Sequence, residues 1–129
     1  MNLADRIIAL QHMFPFSRLR ETELSALAEV CIPRQFEPGE LVVDSGRTLK
    51  RLLILLDGEF LQNQVSLPNR ILGIPSLLFD SVESSAIVAG PAGARCLGLE
   101  KGHFFRTMYE LPEIAQGIVA LQAHREVRS

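Results

Sequence analysis

No stretch of the 129-residue chain approaches the eighteen or so consecutive apolar residues that a membrane span requires. A spanning helix is therefore not expected. The opening Met1-Asn2-Leu3-Ala4-Asp5-Arg6 also lacks the basic start and apolar stretch of a secretory signal, which makes cytoplasmic residence the default expectation. Positive charge is not concentrated anywhere. Thirteen Lys and Arg stand against fifteen Asp and Glu for a net charge of −2, and the cations are scattered, so there is no footprint for a phosphate backbone and no nucleic-acid partner is expected. Cysteine is limited to Cys31 and Cys96, each in apolar surroundings, where a buried free thiol is favoured over a bridge. His12, His103 and His124 lie far apart in helical segments, and no cluster of histidines with a carboxylate occurs on neighbouring strands, so no metal is expected. No serine or cysteine stands in a motif that would supply a base and an orienting group. No catalytic residue and no cofactor follow, and the chain reads as non-enzymatic.

What is present has a clear order. Asn2 with Asp5 forms a capping pattern ahead of Leu3, Ile7 and Leu10, which share one helical face. Pro15 ends that segment. Phe14, Phe16 and Leu19 then form an apolar linker, and Leu24, Leu27, Ala28 and Cys31 fall at i, i+3, i+4 and i+7 of a second helix. Arg20 stands where a capping Ser or Asp would help, so a ragged start costing about 1 kcal/mol is expected. From Ile32 to Leu99 short apolar runs alternate with turn residues, the texture of an all-β core. The turns are Glu37-Pro38-Gly39-Glu40, Asp44-Ser45-Gly46, Asp57-Gly58, Pro68-Asn69 and Gly90-Pro91-Ala92-Gly93, and Asp57-Gly58 predicts a two-residue hairpin. Helical periodicity returns with Phe104, Met108 and Leu111. Pro112 then opens a last helix carrying Ile114, Ile118 and Leu121. The layout expected is one domain over 1–129, with helices over about 2–31, a β-barrel over about 32–99 and helices over about 100–127.

Helix, then eight or so short strands in a jelly roll, then two helices is an order few small folds share. Local motifs narrow it. Phe16-Ser17-Arg18-Leu19 before a helix, Phe36-Glu37-Pro38-Gly39-Glu40 and Leu53-Ile54-Leu55-Leu56-Asp57-Gly58-Glu59 resemble the first half of the cyclic-nucleotide-binding domain of bacterial catabolite-activator relatives. The resemblance continues through Leu67-Pro68-Asn69-Arg70-Ile71-Leu72-Gly73, Ala86-Ile87-Val88-Ala89 and Phe104-Phe105-Arg106-Thr107-Met108, and glycines 39, 46, 58 and 73 fall where the family pattern wants them. It implies a mainly β fold, a double-stranded β-helix or jelly-roll barrel with helices at both ends. The sequence departs from the pattern in length, because only Phe60 to Leu72 separates the Asp57-Gly58-Glu59 turn from Gly73. A trimmed hairpin turning at Gln62-Asn63 is expected.

The second departure is chemical. In nucleotide-binding relatives the phosphate-binding cassette opens Gly-Glu, with the carboxylate on the ribose, and later presents an Arg, followed by Ser or Thr and Ala, to the cyclic phosphate. The matching stretch runs without a gap from Gly73 to Ala86, so Ile74 stands at the Glu position and Glu83 at the Arg position. Both anchors are absent. A hydrogen bond to a charged group is worth roughly 1.5 to 3 kcal/mol, so the double loss removes about 3 to 6 kcal/mol, a hundredfold to ten-thousandfold in affinity. Glu83 adds repulsion toward a phosphate, and Pro75 removes an N–H from a turn whose amides face the anion in relatives. Cyclic nucleotide is therefore not expected to bind. The residues of this vestigial ligand pocket are Gly73, Ile74, Pro75, Ser76, Leu77, Glu83, Ser84 and Ser85. Ile74, Leu77, Leu78 and Phe79 read as residues filling a collapsed pocket, and Glu83 as a solvated loop carboxylate without a partner.

Two functions remain. The first is a non-catalytic regulatory or scaffolding module acting through protein–protein contact, as a homodimer or docked on another protein; the second is a sensor of a different small ligand, neutral or cationic, with Glu83 as its polar group. A third arrangement places the effector domain on another polypeptide. A helix-turn-helix is not expected, since the sequence given closes at His124-Arg125-Glu126-Val127-Arg128-Ser129. Ile114, Ile118 and Leu121, with Val119, form a stripe that either dimerises or packs on the barrel. A mean hydropathy of +0.19 favours an apolar surface that meets a partner.

Overall fold

A computed structural model describes the backbone of residues 1–128 and the side chains of residues 1–122. In chain order the elements are α1 (Leu3–Gln11), a one-turn 3-10 helix (Phe16–Arg18), α2 (Glu21–Val30), β1 (Ile32–Phe36), β2 (Leu41–Val43), β3 (Arg51–Gln62), β4 (Val65–Ser66), β5 (Ile71–Leu72), α3 (Ile74–Phe79), β6 (Ile87–Glu100), α4 (Lys101–Glu110) and α5 (Pro112–Arg128). Two compact units result: one helical, from Met1–Cys31 and the segment from Gly102 onward, and one of β-structure, Ile32–Lys101.

In the helical unit the capping residues act as the sequence predicts at α1. Asn2 Oδ1 accepts the Asp5 N–H at 2.8 Å, and Asp5 Oδ2 accepts the Asn2 N–H at 3.3 Å. At the start of α2 Arg20 provides no side-chain cap, as its side chain implies, and Glu23 Oε1 accepts the Arg20 N–H at 2.9 Å, which satisfies the N-cap amide but not those of the first turn. Leu24, Leu27, Ala28 and Cys31 are all buried, as their spacing requires. In α4 the buried positions are Phe104 and Thr107 and Met108 is half-buried, as is Leu111 just past its end.

The β-unit is an antiparallel sheet of six strands, not eight, because β3 and β6 are long and carry most of the pairing. The order is β1-β6-β3-β4, with β2 on β6 and β5 on β3. The architecture is the jelly-roll arrangement the sequence implies. Asp57-Gly58 is not a hairpin turn. β3 runs through it, paired Asp57↔Arg95 and Gly58↔Ala94, with register shifts between Leu55 and Asp57 and between Gly58 and Phe60. Gly90 to Gly93 is likewise an excursion inside β6, looped out opposite Glu59. Gly58 has φ 87°, and a Cβ there would collide with the Gly93 carbonyl oxygen. Both motifs mark places where two long strands bend together, which demands the same residues as a turn.

The hairpin that does form is β3–β4, with Gln62↔Val65 as its last pair. Its turn is Asn63-Gln64, with φ 53° and 65°, one residue later than Gln62-Asn63. The core beneath includes Phe36, Leu49, Leu53, Leu55, Phe60, Leu72, Ile87 and Cys96, with the Phe36 and Phe60 rings edge to face at 6.1 Å.

Candidate functional site

The stretch 73–86 is positioned from both ends by the β-unit. Gly73 caps α3 with φ 110°, and a Cβ there would lie 2.8 Å from the Arg51 carbonyl oxygen, so glycine is required by conformation and by space. Pro75 sits in the first turn of α3. Ile74 and Leu77 are 4% and 2% exposed, as side chains filling the interior must be. Ser76, 3% exposed, is the polar exception. Its Oγ accepts the Leu49 N–H at 3.1 Å and donates to the Ser81 carbonyl at 2.9 Å, which satisfies it in both senses. The helix ends at Asp80 (φ 53°), whose carboxylate faces Lys101 Nζ at 3.4 Å. Leu78 is half-buried. Phe79 departs from the expected filling role, being 68% exposed, and Val82 is 59% exposed.

The loop beyond α3 is stitched to the 44–47 turn. Gly46 N–H donates to the Glu83 carbonyl at 2.7 Å, Glu83 N–H to the Arg47 carbonyl at 2.9 Å, and Ser45 Oγ to the Ser84 carbonyl at 3.1 Å. The Glu83 carboxylate is not without a partner. It is half-buried, and its Oε2 accepts from Gln62 Nε2 at 3.1 Å, while the same nitrogen donates to the Ser85 carbonyl at 2.9 Å. Ser84 is exposed and Ser85 half-buried. The loop therefore places a negative charge, paired with a neutral amide, where the resemblance implies a guanidinium. A phosphate brought here would meet like charge in a partly shielded setting. Gln62 is the side chain at this loop that sequence reasoning missed. The available signal was an amide closing β3, the first of the run Gln62-Asn63-Gln64.

Elsewhere the structure separates residues that the sequence grouped. Ile114 and Ile118 are each 1% exposed, and Leu121 is half-buried, so the first two present no free surface for a partner. Of that stripe's neighbours Val119 is 67% exposed. His12 is exposed at the end of α1 and His103 is half-buried in α4; the His124 side chain lies outside the described residues. Among the described residues no group of three His, Cys, Asp or Glu side chains could hold a metal ion. Cys31 and Cys96 are free and buried, and burial pushes both thiols up to about 12 against weaker opposing pulls from Arg6 and Arg34 respectively. No helix of the described residues is long and apolar enough to cross a membrane.

No family model matches the chain, and no curated protein matches it. Solved structures do. The CBD2 of PKAR with bound Sp-2Cl-cAMPS superposes with a TM-score of 0.73 at 15% identity, over 98% of this chain and 92% of that one. The regulatory subunit of a cAMP-independent protein kinase A from Trypanosoma brucei gives a TM-score of 0.76 at 20% identity, over 95% of this chain. That structure is a variant with Glu→Ala, Thr→Arg and Val→Ala replacements, with cAMP bound in its A site. The Thermus thermophilus catabolite activator protein gives 0.72 at 21% identity, over 93% of this chain. The chain spans 46% and 59% of the length of these last two. The chain has the cyclic-nucleotide-binding fold, a jelly-roll β-structure with helices on either side in sequence.

Proposed function

We propose that this chain is a non-catalytic regulatory or scaffolding module of the cyclic-nucleotide-binding fold that no longer recognises cyclic nucleotide and works through protein–protein contact. The observation that carries it is Glu83, a half-buried carboxylate at the phosphate-binding position, already engaged by Gln62. Ile74 reinforces it, because a 4%-exposed isoleucine offers nothing to a ribose hydroxyl. The Trypanosoma brucei neighbour is consistent in its chemistry: it is named cAMP-independent, and the cAMP-bound variant of it carries an introduced arginine. Contact with a protein is supported by the outer face of the cassette, where Phe79 and Val82 are 68% and 59% exposed. A sensor of a different, neutral or cationic ligand is less well supported, since the acid it would use already accepts a hydrogen bond from Gln62.

Isothermal titration of the chain with cAMP, cGMP and cyclic dinucleotides tests the reading. No heat at micromolar concentrations is expected, and micromolar binding of any of them overturns it. Glu83→Arg together with Ile74→Glu supplies both anchors, and measurable cAMP binding by that variant is the positive counterpart.

A further inference from the structure

The resemblance raises two departures that look unrelated: a β3–β4 hairpin shorter than the pattern, and an acid in place of the cassette arginine. The structure brings them to one point. β3 ends at Gln62, the Asn63-Gln64 turn follows at once, and the Gln62 backbone is held in register by Ile87 on one side and Val65 on the other. From that fixed base its side chain reaches the loop before β6. A carboxamide NH2 has two hydrogens, and here each has an acceptor: Glu83 Oε2 at 3.1 Å and the Ser85 carbonyl at 2.9 Å.

We propose that Gln62 is an internal substitute for a ligand, a positioning residue that holds the 81–86 loop closed on the 44–47 turn without any bound anion. The proposal rests on the reading that no cyclic nucleotide enters the cassette. Glu83 is anchored by its own N–H to Arg47 and by its carbonyl to Gly46, so fixing its side chain also fixes that two-bond seam. The acceptor at one end is ionised, which strengthens the bond beyond that of a neutral pair. The pairing of Gln62 with both Ile87 and Val65 fixes the backbone from which the donor reaches the loop. The module would thus have a single cassette conformation, not a ligand-switched pair.

Hydrogen exchange on the full chain tests this through three amides. Those of Gly46 and Glu83 report the seam, and that of Leu49, bonded to Ser76 Oγ at the other end of the cassette, is the internal reference. In Gln62→Ala the Gly46 and Glu83 amides are expected to exchange about tenfold faster while Leu49 changes less than twofold. Gln62→Glu, equal in shape but without the donors and with a like charge, is expected to do more. Combining it with Glu83→Gln reverses the direction of the side-chain bond and should return part of the protection. Unchanged Gly46 and Glu83 rates in Gln62→Ala overturn the proposal, as does a parallel rise at all three amides, which would mark general destabilisation. If Gln62→Ala does not fold, the same comparison is read from Gln62→Ser. Calorimetry with cAMP on the unaltered chain is run alongside. Heat there removes the loss-of-nucleotide reading, whereas flat exchange with no heat removes only the role of Gln62.

Discussion

The crossing of β3 and β6 and the cassette loop are built from different materials. At the crossing, shape is set by backbone: Gly58 at φ 87° lies against the Gly93 carbonyl, and no other side chain fits. At the loop, shape is set by side chains, with Gln62 bridging Glu83 and Ser85. The curvature of the first region depends on glycines and buried apolar residues, so the architecture does not depend on which polar side chains the loop carries.

The largest effect expected from disturbing the framework is at Ile118, 1% exposed. Ile118→Asp buries an unpaired charge, and a loss of roughly 3–5 kcal/mol is expected in denaturant unfolding. If the variant kept its stability while light scattering showed a dimer becoming a monomer, the stripe would be an interface and not core. Gly58→Ala is next. It combines a positive φ with a backbone collision, and about 2–3 kcal/mol should be lost by the same measurement. A loss under 0.5 kcal/mol would mean that the crossing is soft and that the contrast with the loop does not hold.

The buried thiols give a smaller effect, absent at neutral pH. Cys31 and Cys96 have pKa values raised from 9.0 to about 12, chiefly by burial. The unfolded chain releases these protons first, so stability is flat below about pH 9 and falls as pH climbs from there toward 12. The slope of unfolding free energy against pH over that window should be shallower in Cys96→Ala than in the unaltered chain. Equal slopes would show that Cys96 ionises freely in the folded state.

These contrasts also explain what was legible beforehand. The helical faces, the β-core between Ile32 and Leu99, and the acid at position 83 could be read because each is a local pattern or a gapless match. Asp57-Gly58 could not be told from a hairpin, because a bulge and a turn ask for the same residue and the deciding partner, Gly93, is distant in sequence. The Ile114, Ile118 and Leu121 stripe has the same period whether it meets a neighbour or its own core. Glu83 was visible as a charge but its partner was not: Gln62 lies 21 residues away on another element, and no periodicity links a strand end to a loop. Likewise Phe79 and Leu77 looked alike in sequence. Their places on a six-residue helix, 68% against 2% exposed, separate them.

That difference yields the smallest stability effect and the most direct functional one. Phe79→Ser removes an aromatic ring that is already mostly in water, so unfolding free energy should change by no more than about 0.5 kcal/mol. Leu77→Ala, two residues earlier on the same helix, should cost roughly 2–5 kcal/mol because its cavity lies in the interior. The pair separates the two faces of the cassette helix: the inner one belongs to the framework, and the outer one is exposed. A Phe79→Ser variant losing more than 1.5 kcal/mol would place that ring in the core and remove the outer face from use. If stability is kept, loss of a protein partner in this variant alone, with Glu83 and Gln62 untouched, would locate function on the outer face and not in the pocket.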